Sequence, residues 1–359
     1  MRIAIIQNPE ETSSEYAGYI SGLLADYATW LGYEICMIDS IKELHHKSAN
    51  CIFILEVKSS WLPHFFVENK IALQFKKSAI DVTINLTGKY YDKISPQVMT
   101  LDEENFNRNK KNFLLAKKKI NDESAFAIIT YAHSEKEKLD AILPGLNKDV
   151  QVMPFTAPGE FKAFEWPEKV LIKSQYAANK EYFFCLGDES ETLLLEVLKG
   201  FSKFKKWQQS SMQLIIVMDE TDWLESFFEK LNTYRYKDDV QIIREINPSQ
   251  LACIFASAYA YLHITNNKEK IEPFVAAMQC GIPVICLDTP VLHEYGGDAA
   301  LYMSVIDMVE ISKNMIGIYK NEIHKSQMGK SAKEAAQKFK MDDVSKKLWL
   351  MVESLATKA

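Results

Sequence analysis

The sequence predicts an α/β protein built from two doubly wound parallel-sheet domains in tandem. Three observations predict it. Short apolar runs rich in β-branched residues alternate with longer helical patterns along nearly the whole chain. The strand-like runs are apolar throughout instead of alternating, as strands covered on both faces are. The alternation breaks once, over residues 158–181, where PGEFKAFEWPEKVLIKSQYAANKE carries two prolines, a glycine and scattered charges with no clean period.

RIAIIQ (2–7) is the first strand. Ser13 and Ser14 cap the helix that follows, and its Tyr16, Ile20, Leu23, Leu24, Tyr27 and Leu31 share one face. EICMID (34–39), CIFILE (51–56), DVTIN (81–85), AFAIIT (125–130) and VQVMP (150–154) are five more strands. These make a first domain over residues 1–160, followed by an inter-domain linker over 161–181. The alternation then restarts with YFFCL (182–186), QLIIVM (213–218), VQIIR (240–244), AYLHI (260–264), PVICL (283–287) and ALYM (300–303). They define a second domain over 182–340. The last stretch, 341–359, has a helical stripe through Val344, Leu348, Met351, Val352 and Leu355, and is expected to pack back on the first domain.

Composition narrows the function classes. The chain has 359 residues, 47% apolar and 25% charged, enough for two ordinary domains with sizeable cores. A net charge of −6 offers no basic stripe for nucleic acid. The six cysteines (Cys36, Cys51, Cys185, Cys253, Cys280 and Cys286) sit singly in apolar runs and read as small core residues in a reducing compartment. MRIAIIQN opens directly on a strand, without a signal peptide, and no apolar run approaches the ~20 residues of a membrane span. The expected location is cytoplasmic. No carboxylate, His or Cys cluster has metal-ligand spacing, so no metal or cofactor is implied. Ligands of open α/β sheets bind beyond the carboxyl ends of the strands, and a cleft between two such domains is the expected site.

Four segments carry a family resemblance: IITYAHSEKEKLDAIL (128–143), VMPFTAPGEF (152–161), VQIIREINPSQLACIFASAYAYLHIT (240–265), and the pair AAMQCGIPVI (276–285) with GDAALY (297–302). In that order, the chain resembles the retaining glycosyltransferases of the GT-B fold, group 1 or family 4. The resemblance implies two Rossmann-like domains with the nucleotide sugar on the second. It also implies a donor loop with a Glu, a glycine-rich turn and a second Glu; an Arg and a Lys after the first strand of the second domain; and a His in the first domain. Bare amides at a helix start attract a diphosphate, glycines let the backbone approach, and the cations meet the leaving group.

At the positions that match the motif, this chain differs. The first Glu position holds Lys268, the turn glycines are Glu269 and Ile271, and the second Glu position is Ala276. Gly187 remains after YFFCL, the Arg position is Asp188, and the Lys position falls at Glu191 or Thr192. The His position is Asn85, and the glycine-rich entry loop has become PEETSS (9–14). Pro273, Gly281, Pro283 and Glu294 survive. The donor side implied by the resemblance is then Gly187, Asp188, Arg244, Thr265, Lys268, Glu269, Glu272, Ala276 and Glu294.

Each position has a functional and a plain reading. Lys268 and Lys270 are a phosphate clamp or solvated loop charges. Arg244 pairs with a nucleotide, or with Glu245 or another acid. Glu269 and Glu272 accept sugar hydroxyls or are surface acids. His133 and His263, at strand ends, are proton carriers or structural histidines. Asn85 can bond a hydroxyl but cannot move a proton. The catalytic set is Asn85, Lys268 and His133, with Ser13, Ser14 and Trp61 on the acceptor side. NRNKKNFLLAKKK (107–119) places six basic residues around Phe113, Leu114 and Leu115, a weak membrane contact or a solvated helix face. By resemblance the activity is sugar transfer from a nucleotide sugar to a sugar, lipid or protein acceptor with retention. The alternatives are an inactive relative serving as a glycan- or partner-binding scaffold, and a sugar-nucleotide epimerase.

Overall fold

The computed structural model describes residues 1–7, 15–38, 50–56, 64–94, 96–187 and 190–357. The first part of the chain runs through β1 (Arg2–Gln7), α1 (Glu15–Trp30), β2 (Glu34–Ile38), β3 (Cys51–Glu56), α2 (His64–Lys77), β4 (Val82–Asn85), β5 (Gln97–Thr100), α3 (Glu103–Asp122), β6 (Phe126–Thr130), α4 (His133–Ile142) and β7 (Val150–Val152). It continues through α5 (Trp166–Tyr176), β8 (Tyr182–Leu186), α6 (Glu191–Gln208), β9 (Gln213–Val217), α7 (Leu224–Asn232), β10 (Val240–Ile243), α8 (Pro248–Ser257), β11 (Ala260–His263), α9 (Glu272–Gln279), β12 (Val284–Leu287), α10 (Pro290–Gly296), β13 (Ala300–Met303), α11 (Met308–Lys320), α12 (Glu322–Ala336) and α13 (Met341–Ala356). Two compact units result: Met1–Phe155 together with Met341–Ala359, and Thr156–Lys340.

The first unit is a seven-stranded sheet in the order β2-β3-β1-β4-β5-β6-β7, and all its pairs are parallel. Continuous burial along β1, β4 and β5 explains why their sequences do not alternate. Within this unit α13 packs on α1: Tyr27 and Tyr33 lie against Trp349, with ring centroids 5.9 and 5.0 Å away. The second unit is a six-stranded parallel sheet, β10-β9-β8-β11-β12-β13. One side of that sheet buries Phe183, Phe201, Phe204, Leu214 and Phe227 in a single cluster with α6, α7 and α11. Four of the six cysteines are buried thiols in these cores.

Two features depart from the sequence reading. Strand β5, QVMT, was not foreseen: it is four residues long and its first residue is polar. Gln97 is nonetheless fully buried, because its amide donates to the carbonyls of Tyr91 and Ile94 at 2.9 and 2.8 Å. Helix α5 lies inside the stretch read as having no period. Pro167 occupies its first turn, and the Glu168 side chain accepts the Glu165 N–H at 2.8 Å. Its large apolar residues Trp166 and Leu171 are exposed, which is why no buried stripe shows in the sequence.

Candidate donor site at the strand ends of the second unit

In the second unit the strand order reverses between β8 and β11. That switch point lies at the carboxyl ends of the strands, where open α/β sheets take ligands. Two segments border it: Gly187 after β8, and the 264–271 loop between β11 and α9.

Gly187 is held there by packing. Its N–H donates to the Val217 carbonyl at 2.9 Å. A Cβ at this position would sit 2.7 Å from Ile216 Cγ2, closer than real contacts allow, and a tight 3.2 Å from Leu194 Cδ2. Asp188 lies outside the described residues. Four residues past Gly187, Glu191 opens α6 and accepts Lys230 Nζ at 2.7 Å and Ser226 Oγ at 2.8 Å. These contacts hold its carboxyl below the usual carboxylate range. Lys230, from α7, is a cation that no local pattern placed near this helix start.

The 264–271 loop folds on its own side chains. Thr265 Oγ1 accepts the Asn267 N–H at 2.9 Å, and Asn267 Oδ1 accepts the Glu269 N–H at 3.0 Å. The Lys270 N–H reaches the Asn267 carbonyl at 3.3 Å, and the Ile271 N–H the Glu269 carbonyl at 2.7 Å. Amides that a glycine loop would present to a phosphate are thus partly used by Thr265 and Asn267, in side-chain turns. Pro273 also removes one N–H from the first turn of α9. Lys268 is exposed at the loop tip and makes no ion pair among the described residues. Glu269 and Glu272 are half-buried, on the loop and at the start of α9. Ala276 is buried in the inner face of α9, where it cannot stand in for a carboxylate.

The remaining positions separate clearly. Arg244 is paired with Glu220, not with Glu245; both partners are exposed, and such pairs are weak and easily released. Glu294 is exposed on α10. His263 ends β11 inside the core, with its ring 5.6 Å from Phe274 and 5.8 Å from Tyr261. Burial, reinforced by Lys270, pushes this imidazole down to about 3. It is therefore neutral at physiological pH, packed among aromatic rings. Sequence reasoning left both roles open for it. Among the described residues no three His, Cys, Asp or Glu side chains group to hold a metal.

In the first unit, Asn85 ends β4 and is fully buried. Its amide donates to the Lys89 carbonyl at 2.7 Å and to Gln97 Oε1 at 3.2 Å. Its carbonyl accepts the Thr87 N–H at 3.1 Å and Thr87 Oγ1 at 2.8 Å. All four contacts are internal, so the geometry gives Asn85 the work of fixing the 85–89 turn. Gly88, at φ +67 with a virtual Cβ 3.1 Å from Asn105, completes that turn. His133 is exposed at the first position of α4. Ser13, Ser14 and Trp61 lie outside the described residues. On α3, Phe113 is buried, but Leu114 and Leu115 are exposed, Leu115 by 78%. Lys110, Lys111 and Lys118 beside them make no ion pair among the described residues.

No protein-family model matches the chain. Over 138 residues it is 30% identical to the O-antigen chain mannosyltransferase RfbU of Salmonella typhimurium. That stretch spans 38% of this chain and 38% of the relative, so the match covers well under two thirds of that protein. Among solved structures, a glycosyltransferase from Rickettsia africae superposes with a TM-score of 0.72 at 12% identity, over 100% of this chain and 99% of that one. Anabaena Alr3699/HepE in complex with UDP superposes with a TM-score of 0.71 at 14% identity, over 99% and 100% of the two chains. The fold is GT-B, and the resemblance to group 1 GT-B glycosyltransferases read from the sequence is borne out.

Proposed function

We propose that this protein is a glycosyltransferase. In this reading it takes a nucleotide sugar on the second unit and passes the sugar, with its anomeric configuration retained, to a sugar, lipid or protein acceptor. The observation that carries the proposal is the switch point of the second sheet, where Gly187 and Ile264 line one small cavity and Lys268, on the loop that follows, stands without an acid partner among the described residues. The mannosyltransferase relative and the UDP-bound HepE neighbour support it. Lys268 is assigned to the leaving diphosphate, with Arg244 available once released from Glu220. Glu269, Glu272 and Glu294 are assigned to sugar or ribose hydroxyls, and His133 stays with Lys268 in the catalytic set. Asn85 is assigned to support of the turn beneath it. Developing charge on the leaving group would be met by side-chain cations; no covalent nucleophile is invoked.

A second reading is favoured by one specific observation. The amides of Asn267 and Glu269 are already bonded to side chains, and Ala276 is buried, so the family's usual means of holding a donor are closed. A chain that kept the fold and lost transfer would serve as a glycan- or partner-binding scaffold.

We also assign the exposed Leu114 and Leu115, with their neighbouring lysines, to peripheral contact with an anionic membrane face in the cytoplasm. No described helix is long and apolar enough to cross a membrane.

Calorimetric titration with UDP, GDP, ADP and their sugar conjugates tests the main proposal. Binding of one nucleotide near micromolar strength, about −8 kcal/mol, that weakens in Lys268→Ala supports a rewired donor site. Arg244→Ala is expected to weaken it less, since that side chain must first leave Glu220. Absence of binding at millimolar nucleotide overturns the transferase reading and leaves the scaffold.

A further inference from the structure

We infer that the second unit carries a docking face for an anionic lipid surface, formed by the last turns of α6, the turn before β10 and the start of α11. This rests neither on sugar transfer nor on α3. A shallow cleft of ≈ 440 Å³ lies there, with Lys203, Lys206, Trp207, Arg235, Tyr236 and Met308 in its walls. Among the described residues Lys203, Lys206 and Arg235 make no ion pair. The neighbouring acids are taken: Glu196 holds Lys199 Nζ at 2.6 Å and accepts the Met308 N–H at 2.9 Å, and Asp239 holds Lys205 Nζ at 2.9 Å. Asp238, on the same turn as Arg235, and Asp307, which caps α11 by accepting the Val309 and Glu310 N–H groups, offset two of the three free cations. The face is therefore locally positive on a chain of net charge −6. Such a chain has no general attraction to anionic lipid, so any binding is oriented by the patch.

The apolar groups decide between a surface and a small ligand. Trp207 is 69% exposed, Val309 45% and Met308 42%. A pocket for a small anion recesses its aromatic wall so as to enclose most of the ligand. Here the indole projects, ringed by cations. That is the arrangement of an interfacial anchor: indole settles at headgroup depth while Lys and Arg meet anionic headgroups. Tyr236 already has the Arg235 guanidinium over its ring at 5.5 Å, which holds that cation at the rim.

The test uses the full chain, with α3 first neutralised by Lys110→Gln, Lys111→Gln, Leu114→Ser, Leu115→Ser and Lys118→Gln so that only the second unit can dock. The protein is sedimented with phosphatidylglycerol-rich vesicles and with phosphatidylcholine vesicles, and its tryptophan emission is read with brominated acyl chains. We expect binding to the anionic vesicles alone, with quenching that disappears in Trp207→Phe. Lys203→Gln with Arg235→Gln should weaken partitioning about 25-fold, five-fold for each charge, the equivalent of about 1 kcal/mol per cation at the surface. Circular dichroism melting of each variant checks that the fold is intact. Three results overturn the proposal: loss of vesicle binding in the α3-neutral chain, a Trp207 that lipid does not quench, or occupation of the cleft by inorganic phosphate alone, read as a Trp207 emission change without vesicles. Failure here leaves the calorimetric test of the donor site untouched.

Discussion

Lowering the pH from 7 to 5 should destabilise the second unit through His263. The imidazole is only 2% exposed and lies among Tyr261, Phe274 and the β11–β12 pairing. Its folded value lies at about 3, against an ordinary value near 6.5 in the unfolded chain. The unfolded state therefore binds a proton below pH 6.5 that the folded state refuses. Stability is fully present above that pH and is lost as pH falls, and the loss levels off below about 3. At 1.36 kcal/mol per unit, the contribution lost by pH 5 is about 2 kcal/mol. For a unit of this size each kcal/mol shifts Tm by roughly 2–4 °C. Urea unfolding of wild type and His263→Phe at pH 7, 6 and 5, followed by far-UV circular dichroism, reads the difference between the two slopes. The variant should lose this part of the pH dependence. Parallel slopes, or an NMR titration of His263 above about pH 5, would refute the assignment and reopen the residue as a proton carrier.

Two further outcomes follow from packing. Gly187→Ala forces a Cβ to within 2.7 Å of Ile216, and overpacking of this kind costs about 1–3 kcal/mol; a calorimetric scan should show the second unit melting several degrees earlier, and an unchanged melt would mean that the strand end gives way freely. Asn85→Ala removes the hydrogen bonds that Asn85 makes to Thr87, the Lys89 carbonyl and Gln97, a loss of about 1–3 kcal/mol in the first unit; nucleotide affinity should stay the same, and a stable variant with selectively lost transfer would instead restore Asn85 to the chemistry.

Both sheets were legible because their strands are apolar runs bounded by turn residues. The exceptions have physical causes. Gln97 reads as a polar residue that should stop a strand, yet its amide holds three neighbours, including Asn85, and so is tolerated at full burial. The FLL of α3 looks like a packing triplet. A helix of 3.6 residues per turn cannot turn three consecutive side chains inward, and Phe113, Ala116 and Ile120 take the core while Leu114 and Leu115 face out. At the site, Gly187 was legible from its place after a strand. The pairs Arg244–Glu220 and Lys230–Glu191 were not, because each joins residues more than twenty positions apart and no local period encodes them.

The 264–271 loop shows how one set of substitutions changes what a conserved-looking frame can do. Glycines would leave its amides bare, at an entropic cost in the unfolded chain and a gain in access for a phosphate. Thr265 and Asn267 reverse both terms: they fix the turn from within and occupy the amides that fix it. An anion arriving at this loop therefore meets Lys268, a flexible side chain in water, instead of a preorganised row of N–H groups. At about 4 Å such a charge is worth about 1 kcal/mol in water and several times more only where water is excluded. Lys268 alone cannot replace an Arg, a Lys and a bare helix start. Binding begun at Lys268 is then strengthened to the extent that Arg244 is drawn from Glu220, and Lys230 from Glu191, by a diphosphate that offers each a stronger partner than a carboxylate does.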